Sequence, residues 1–277
     1  MAVEAMTTRP VASGGTRQAI RDGLIIAGRN LKRVPRIPEL AIFAIMQSIM
    51  FVLLFAFVFG GAIPLPGGGS YREFLIPGIF AQTVVFAAAT TAVGICEDIN
   101  KGLMDRFRSL PMARSAVLSG RALFDVVYQS GIVVVLMVSG LVVGWRVHTG
   151  VPEFLAGIGL LLLFVFAMSW VGIWLGTMVP ATEVAQQVSF TVILPVTFLS
   201  SVFVPPETLP GILETFAIWN PTTTLTGALR DLWGNPNPYG TNGFPAREPL
   251  LMTLIWIAVI VSIFAPLAVA RFRSLSR

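Results

Sequence analysis

The residues of this chain that are best suited to chemistry lie in one charged stretch, EDINKGLMDRFRSLPMARSAVLSGR, from Glu97 to Arg121. The stretch holds eight charged side chains and separates two long apolar runs. Acids lie at its start and bases toward its end, which suits the dipole of a helix from about Glu97 to Arg108 that ends before Pro111. A short helix of this kind offers ionic contacts to a partner protein, and such contacts give orientation and register more than affinity.

Enzyme motifs do not accompany this stretch. No HExxH pair, cysteine cluster or carboxylate pair appears at the spacing of metal ligands, and no GxSxG elbow presents a serine nucleophile. The run PGGGSY at residues 66–71 lacks the pattern of a phosphate-binding loop and is typical of a turn. The sequence therefore predicts no catalytic residue, no metal site and no cofactor bound by the chain itself. Its one histidine, His148, is expected to be solvated in a short loop.

The overall composition is that of an integral membrane protein. Of the 277 residues, 55% are hydrophobic and only 12% are charged, whereas soluble globular chains carry about 25% charged residues. The sequence pI of about 10.1 comes from a basic excess that serves to orient the chain and to meet anionic lipid. We therefore expect membrane lipid, and not nucleic acid, as a partner.

Six runs are long and apolar enough to predict six transmembrane helices. A hydrocarbon core of about 30 Å needs roughly 20 such residues, and the chain shows no internal repeat that would indicate an array. The expected fold is thus one all-α bundle with short interruptions. The six predicted spans are Leu40–Phe59, Phe74–Ile95, Ala122–Gly144, Phe154–Met178, Val184–Val204 and Leu250–Ala270.

The basic residues predict the orientation of this bundle. Of the 19 Lys and Arg residues, fifteen lie in the N-terminal tail, in the stretch from Glu97 to Arg121 and in the C-terminal tail. The other four occupy the alternate loops and the segment between spans five and six. By the positive-inside rule, both termini and the charged stretch are cytoplasmic in a multi-pass protein of the cell membrane. The four residues on the outer side are Arg72, Arg146, Arg230 and Arg247.

The segments outside the spans also carry helical patterns. Residues 1–38 form a cytosolic tail in which Thr16–Val34 is predicted to be an amphipathic helix on the membrane surface. Residues 39–270 form the transmembrane domain, and residues 271–277 form a second cytosolic tail. Within the domain, prolines interrupt residues 205–234, which are predicted to form two short outer helices, roughly Leu209–Ala217 and Thr222–Trp233.

The interior of the predicted bundle is apolar and aromatic, with a few amides and hydroxyls. The inner two-thirds of the spans contain no Asp, Glu, Lys, Arg or His, and Asp125 is the nearest such residue, about a turn inside span three. Ion-driven carriers generally keep such groups inside the bilayer. Spans two and five therefore suit a pathway for a hydrophobic, amphipathic substrate. Phenylalanines at helical spacing also occur where helices simply pack together. The candidate pathway residues are Phe80, Gln82, Phe86, Phe190, Thr191, Pro195 and Phe198.

The charged stretch resembles the cytosolic signature of ABC-2 type exporter permeases, in particular the daunorubicin-resistance permease subunits. That signature has an acidic pair, a glycine, a basic-aromatic cluster, a Leu-Pro-Met step and a glycine-arginine that enters span three. The inner loop VPATEVAQQ, from Val179 to Gln187, is similar to the second cytoplasmic contact of the same family. The matching positions of the signature are Glu97, Asp98, Gly102, Arg106, Phe107, Arg108, Leu110, Pro111, Met112, Gly120 and Arg121.

The resemblance implies a fold and a set of partners. The fold is six spans with both termini inside, an interfacial N-terminal helix and short re-entrant helices at 205–234, as in type V exporters. Two copies of the chain, most simply a homodimer, would dock on two ABC ATPase subunits, which bind ATP and Mg²⁺. The coupling segment would be residues 96–121, in a bacterial membrane. The residues implied to contact the ATPase are Glu97, Asp98, Gly102, Arg106, Phe107, Arg108, Pro111, Met112, Thr182 and Glu183.

Three functions remain open from the sequence. The first is the export of drugs or other amphipathic hydrophobic compounds, which would confer antibiotic resistance by efflux. The second keeps the permease and changes the cargo to a lipid, a glycolipid or a polysaccharide. The third is an ATP-independent carrier or a membrane scaffold.

Overall fold

The computed structural model describes residues 38–59, 70–102, 114–203, 209–238 and 243–274, together with Gly28 and Pro206. All regular structure in these segments is helical. The predicted helix over Thr16–Val34 lies outside the described residues except at Gly28, and so do residues 103–113 of the charged stretch. The helices are α1 Pro38–Leu54, continued by a π-helix Phe55–Phe59, α2 Tyr71–Asn100, α3 Arg114–Val143, α4 Val151–Met178, α5 Thr182–Phe198, α6 Ile212–Trp219, α7 Pro221–Trp233, α8 Phe244–Arg247 and α9 Pro249–Ser274.

Four of these helices are long and apolar enough to cross a membrane by length and composition: α2, α3, α4 and α9. They contain the predicted spans two, four and six, and all of span three except Gly144. Spans one and five correspond to α1 and α5, whose α-helical parts have 17 residues each, about 26 Å at 1.5 Å per residue. The chain is thus a multi-pass membrane protein with an all-helical fold in its described part.

Helix α2 forms the centre of the bundle, and α4 packs on it at close range. The spacing Gly172-xxx-Gly176 in α4 removes side chains where the two backbones approach. A Cβ at Gly172 would lie 2.4 Å from the carbonyl oxygen of Ala88, and one at Gly176 would lie 2.4 Å from that of Ala92. These glycines therefore set the separation of α2 and α4.

The two ends of the bundle differ in chemistry, and we name them by one residue each. The Asp98 end holds the end of α2, the start of α3 and the loop from α4 to α5. The Trp145 end holds the loop from α3 to α4 and the short helices α6 and α7. There the rings of Trp145, Trp233 and Phe80 meet edge to face, with centroids 5.2–5.5 Å apart.

The two short helices that the prolines predict are present with shifted bounds. The first is α6, at Ile212–Trp219, and the second is α7, at Pro221–Trp233. Asn220 separates them because its side-chain oxygen accepts the N–H of Thr222 at 2.8 Å and thereby caps α7. Helix α7 ends at Gly234, which adopts a left-handed conformation with φ 66°.

Candidate functional site

The acidic pair of the charged stretch lies at the end of α2, and the predicted helix start at Glu97 is wrong. Helix α2 runs without a break through Glu97 and Asp98 to Asn100, because the apolar span and the acidic pair share one continuous helical ladder. The chain then turns at Gly102, whose φ of 63° favours glycine. Acids at this end of a helix oppose its dipole, so they need nearby cations. Lys101 provides one by pairing with Glu97.

Asp98 has a different environment from Glu97. Glu97 is partly exposed and has a lysine partner one turn away, whereas Asp98 is buried at 6% exposure. Nη1 of Arg121, on α3, lies 3.9 Å from Oδ2 of Asp98. Of the remaining predicted contacts in this stretch, Gly102 is described and forms the turn. The predicted positions Arg106, Phe107, Arg108, Pro111 and Met112 lie outside the described residues.

Arg121 belongs to a buried cluster of charges between α2 and α3. Its Nε donates to Oδ1 of Asp125 at 3.2 Å, and the hydroxyl of Thr91 donates to Oδ2 of the same carboxylate at 2.8 Å. The sequence placed Asp125 near one end of its helix but did not predict the cluster. The only indication of the cluster in the sequence is the i, i+4 spacing of Arg121 and Asp125, which favours an ion pair on one helix.

The second predicted contact, in the loop from α4 to α5, lies beside the end of α2. The thiol of Cys96 is 3.6 Å from the carbonyl oxygen of Val179, and the amide of Asn100 is 3.7 Å from the same sulfur. Thr182 and Glu183 follow in the first turn of α5, where Glu183 is exposed. The structure thus brings Glu97, Asp98 and Gly102 together with Thr182 and Glu183 at one end of the bundle.

The predicted pathway residues fall into two groups, and the first group is core. Phe80 is fully buried between Trp145 and Trp233. Gln82 is 5% exposed. In this conformation both side chains are enclosed by the bundle, because the face of α2 that carries them packs on its neighbours.

The second group lies where α2 meets α5. The rings of Phe86 and Phe190 are in edge-to-face contact, with centroids 5.7 Å apart. Thr191, Pro195 and Phe198 lie on exposed parts of α5, and the Thr191 hydroxyl donates to the carbonyl of Gln187 at 2.8 Å. Pro195 lies in the last turn of α5, which ends three residues later at Phe198. Phe86 and Phe190 therefore mark the border between packed core and exposed surface.

The Trp145 end contains a buried arginine that the sequence did not single out. Arg230 counted only as an outer charge, yet its side chain is fully buried. Its Nε donates to the carbonyl of Phe74 at 2.9 Å, and Nη2 donates to the carbonyl of Ser201 at 3.0 Å. In the loop from α3 to α4, His148 is exposed, as expected, and its Nε2 lies 2.9 Å from Oε1 of Glu73. The two hydrogen bonds of Arg230 thus fix helix α7 to the start of α2 and to the turn after α5.

The described part of the chain contains no group of three or more His, Cys, Asp or Glu side chains that could hold a metal ion. These residues form a charged end, where the end of α2 lies beside the loop from α4 to α5, joined by long apolar helices to a tightly packed opposite end.

Comparison with known proteins identifies the fold family. Residues 23–232 match the family model described as ABC-2 type transporter. Over 270 residues, which are 96% of this chain and 92% of the relative, the sequence is 31% identical to the daunorubicin resistance ABC transporter permease protein DrrB1 of Streptomyces coeruleorubidus.

Two further relatives differ in how much of their length is covered. The probable doxorubicin resistance ABC transporter permease protein DrrC of Mycobacterium tuberculosis is 23% identical over 98% of this chain and 95% of its own length. The inner membrane transport permease YhhJ of Escherichia coli is 25% identical over 70% of this chain, but only half of that protein is covered. The family model spans most of the chain, including α1 to α6 and nearly all of α7. The chain therefore belongs to the ABC-2 type transporter family.

Proposed function

We propose that this chain is the permease subunit of an ATP-binding-cassette exporter that moves hydrophobic or amphipathic compounds outward. A separate ATPase subunit hydrolyses the ATP, and this chain supplies the membrane pathway. The observation that carries the proposal is the similarity to the daunorubicin resistance permease DrrB1 along 96% of the chain. Membership in the ABC-2 type transporter family supports it.

The proposed topology is six spans with both termini in the cytoplasm of a bacterial cell. Helices α2, α3, α4 and α9 supply four spans. Helix α1, lengthened by its π-helical turns, and helix α5 supply the other two, since 17 residues reach the lower limit for a span. The excess of basic residues at the Asp98 end and in both tails supports a cytoplasmic location for that end.

The Asp98 end is the proposed docking surface for the ATPase. Arg106 and Arg108, in the part of the stretch outside the described residues, are assigned to salt links with the ATPase. Glu97 is assigned to the contact between this segment and the N-terminal tail. Thr182 and Glu183 form a second contact, supported by the proximity of Cys96 and Val179.

Two copies of the chain and two ATPase subunits form the proposed complex. Helices α1 and α5 expose large apolar side chains, among them Phe43, Met50, Val192 and Phe198. This surface suits lipid contact, contact with the second permease copy and a pathway between the copies. Phe86 and Phe190 lie at its edge and are the proposed contacts with cargo.

Transport by the reconstituted complex tests this function. The chain is purified with its ATPase and placed in liposomes, and ATP hydrolysis is measured with doxorubicin or with extracted membrane lipid. Stimulation by doxorubicin, together with ATP-dependent movement of the drug, is the expected result. Stimulation by lipid alone would replace the drug cargo with a lipid, and movement of doxorubicin without any bound ATPase would overturn the ATP-driven mechanism.

A further inference from the structure

The charged cluster around Arg121 lies at both ends of the coupling segment. Asp98 lies near its start, at the end of α2, and Arg121 lies at its last residue, on α3, with Asp125 one turn further along α3. Between Asp98 and Arg121 lie 22 residues, of which five are charged. A displacement applied to that segment reaches the bundle through these two helix ends.

Arg121 connects the two helix ends by more than one contact. Nη1 lies 3.9 Å from Oδ2 of Asp98 on α2, and Nε lies 3.2 Å from Oδ1 of Asp125 on its own helix. The other oxygen of Asp125 accepts the hydroxyl of Thr91, on α2, at 2.8 Å. Contacts therefore cross between the helices both at Asp98 and, two turns earlier in α2, at Thr91.

A glycine on α2 makes room for this arrangement. A Cβ at Gly94 would lie 2.4 Å from Nη2 of Arg121 and 2.8 Å from Nη1. The guanidinium thus lies directly against the backbone of α2, between the levels of Asp98 and Thr91. Any side chain at position 94 has to displace it.

The cost of this cluster distinguishes it from ordinary packing. The side chains of Arg121, Asp98 and Asp125 are at most 14% exposed, and desolvating charges to this degree is unfavourable unless they are well paired. Apolar residues of similar volume hold two helices together at least as well. Buried charges instead define the register of the two helices, because their ion pairs form at only one alignment of α2 with α3.

We propose that Arg121 is a positioning residue that joins α2 to α3, so that both helix ends of the coupling segment move as one body. The inference rests on the proposed function, since it assigns the cluster to the transmission of movement from the ATPase. We call the contacts of Arg121 with Asp98 and Asp125 the bridge. Without the bridge, the ATPase would still hydrolyse ATP, but its movement would change the separation of α2 and α3 and would not reach the rest of the bundle.

The substitution Gly94→Ala tests this inference because it changes no charge. Its methyl group displaces the guanidinium, which is the flexible end of a long side chain, and alanine is the better helix former. The matched control is Gly131→Ala on α3, where nothing lies within 4 Å of the added Cβ. Arg121→Lys is a second variant, because a lysine keeps the charge but lacks the planar fork that reaches two carboxylates.

Two measurements on the complex of this chain with its ATPase give the readout. The first is the number of doxorubicin molecules moved per ATP hydrolysed. The second is the distance between spin labels at Asn100→Cys and Ser119→Cys, in a Cys96→Ala background, without nucleotide and after trapping with ATP and vanadate. With the bridge intact, we expect a narrow distribution of distances between the two spin labels, and we expect trapping not to change it. Gly94→Ala is expected to broaden it and to lower the transport ratio at least threefold, while Gly131→Ala retains both.

The outcomes separate this inference from the proposed function. If the complex with the bridge intact moves no drug with ATP, the proposed drug-export function fails, and the spin-label distances still test the bridge. If trapping changes the distance with the bridge intact, the two helix ends do not move together and the inference is wrong. It is also wrong if Gly94→Ala and Arg121→Lys both retain the distance distribution of the intact bridge.

Discussion

The guanidinium carbon of Arg230 lies 3.6 Å from the centroid of the Phe74 ring, and Nε of the same arginine donates to the Phe74 carbonyl at 2.9 Å. One side chain of α7 thus holds both the backbone and the ring of a residue in the first turn of α2. Nη2 reaches the carbonyl of Ser201, beyond the end of α5. Three chain segments are joined at this one buried cation.

Replacing Arg230 by methionine is expected to lower the free energy of unfolding by about 3 kcal/mol, because two buried carbonyls lose charge-assisted hydrogen bonds. The chain offers its own probe for this measurement. Cys96 is the single cysteine and is buried at 1% exposure, so a thiol-reactive dye reports unfolding in detergent. Arg271→Met, at an exposed position on α9, is the control and is expected to leave the transition unchanged. Equal melting of the two variants would contradict the role of Arg230.

Adding a methyl group at Gly176 is expected to separate α4 from α2. The Cβ of Gly176→Ala would meet the Ala92 carbonyl at 2.4 Å, and that backbone cannot give way without moving the helix. We expect a loss of about 1–3 kcal/mol, as for other overpacked sites. Gly159→Ala is the matched control on the same helix, since it has open space. The dye assay compares the two variants, and a stable Gly176→Ala would show that the helices are not in backbone contact.

Asn220 serves two helices at once, and two substitutions separate its contacts. Its amide donates to the carbonyls of Val196 and Leu199 at 2.6 and 2.8 Å, and its oxygen accepts the N–H of Thr222. Asn220→Ala loses all three contacts and is expected to cost about 2 kcal/mol or more. Asn220→Asp keeps the cap of α7 but places a carboxylate against two carbonyls. The dye assay should therefore show no rescue by aspartate. A full rescue would mean that only the cap of α7 matters.

Phe80 and Phe86, both on α2, are expected to respond differently to truncation. Phe80→Ala opens a cavity between Trp145 and Trp233 and should cost about 3–5 kcal/mol. Phe86→Ala, at the border with α5, should cost less and should change the stimulation of ATP hydrolysis by doxorubicin. Melting curves and ATPase assays on both variants check this prediction. A Phe86→Ala protein with unaltered drug response would remove Phe86 from the pathway.

The sequence was a good guide to features that depend on local patterns. Apolar runs predicted α2, α3, α4 and α9, since length and hydropathy are local quantities. The prolines around residues 205–221 likewise predicted two short helices, and Asn220 and Gly234 fix the bounds of the second.

Features that depend on contacts between distant segments were missed or misplaced. The acids at 97 and 98 indicated a helix start, but α2 continues through them, because charge pattern alone does not tell the end of one helix from the start of the next. Helical spacing also could not separate Phe80 from Phe86, which lie on one helix with different neighbours. Arg230 counted as an outer charge, and its burial depends on Phe74, which is 156 residues away in sequence.

The proposed function depends on binding of the ATPase at the Asp98 end, and co-purification measures this binding. The tagged chain is extracted from its native membrane, and the bound ATPase is quantified for the unaltered protein and for a variant with both Arg106→Glu and Arg108→Glu. We expect one ATPase per permease chain in the first case and a loss of at least tenfold in the second, with unchanged melting of the permease. An unaltered chain that carries no ATPase, or a variant that retains it fully, would show that the ATPase does not dock through Arg106 and Arg108.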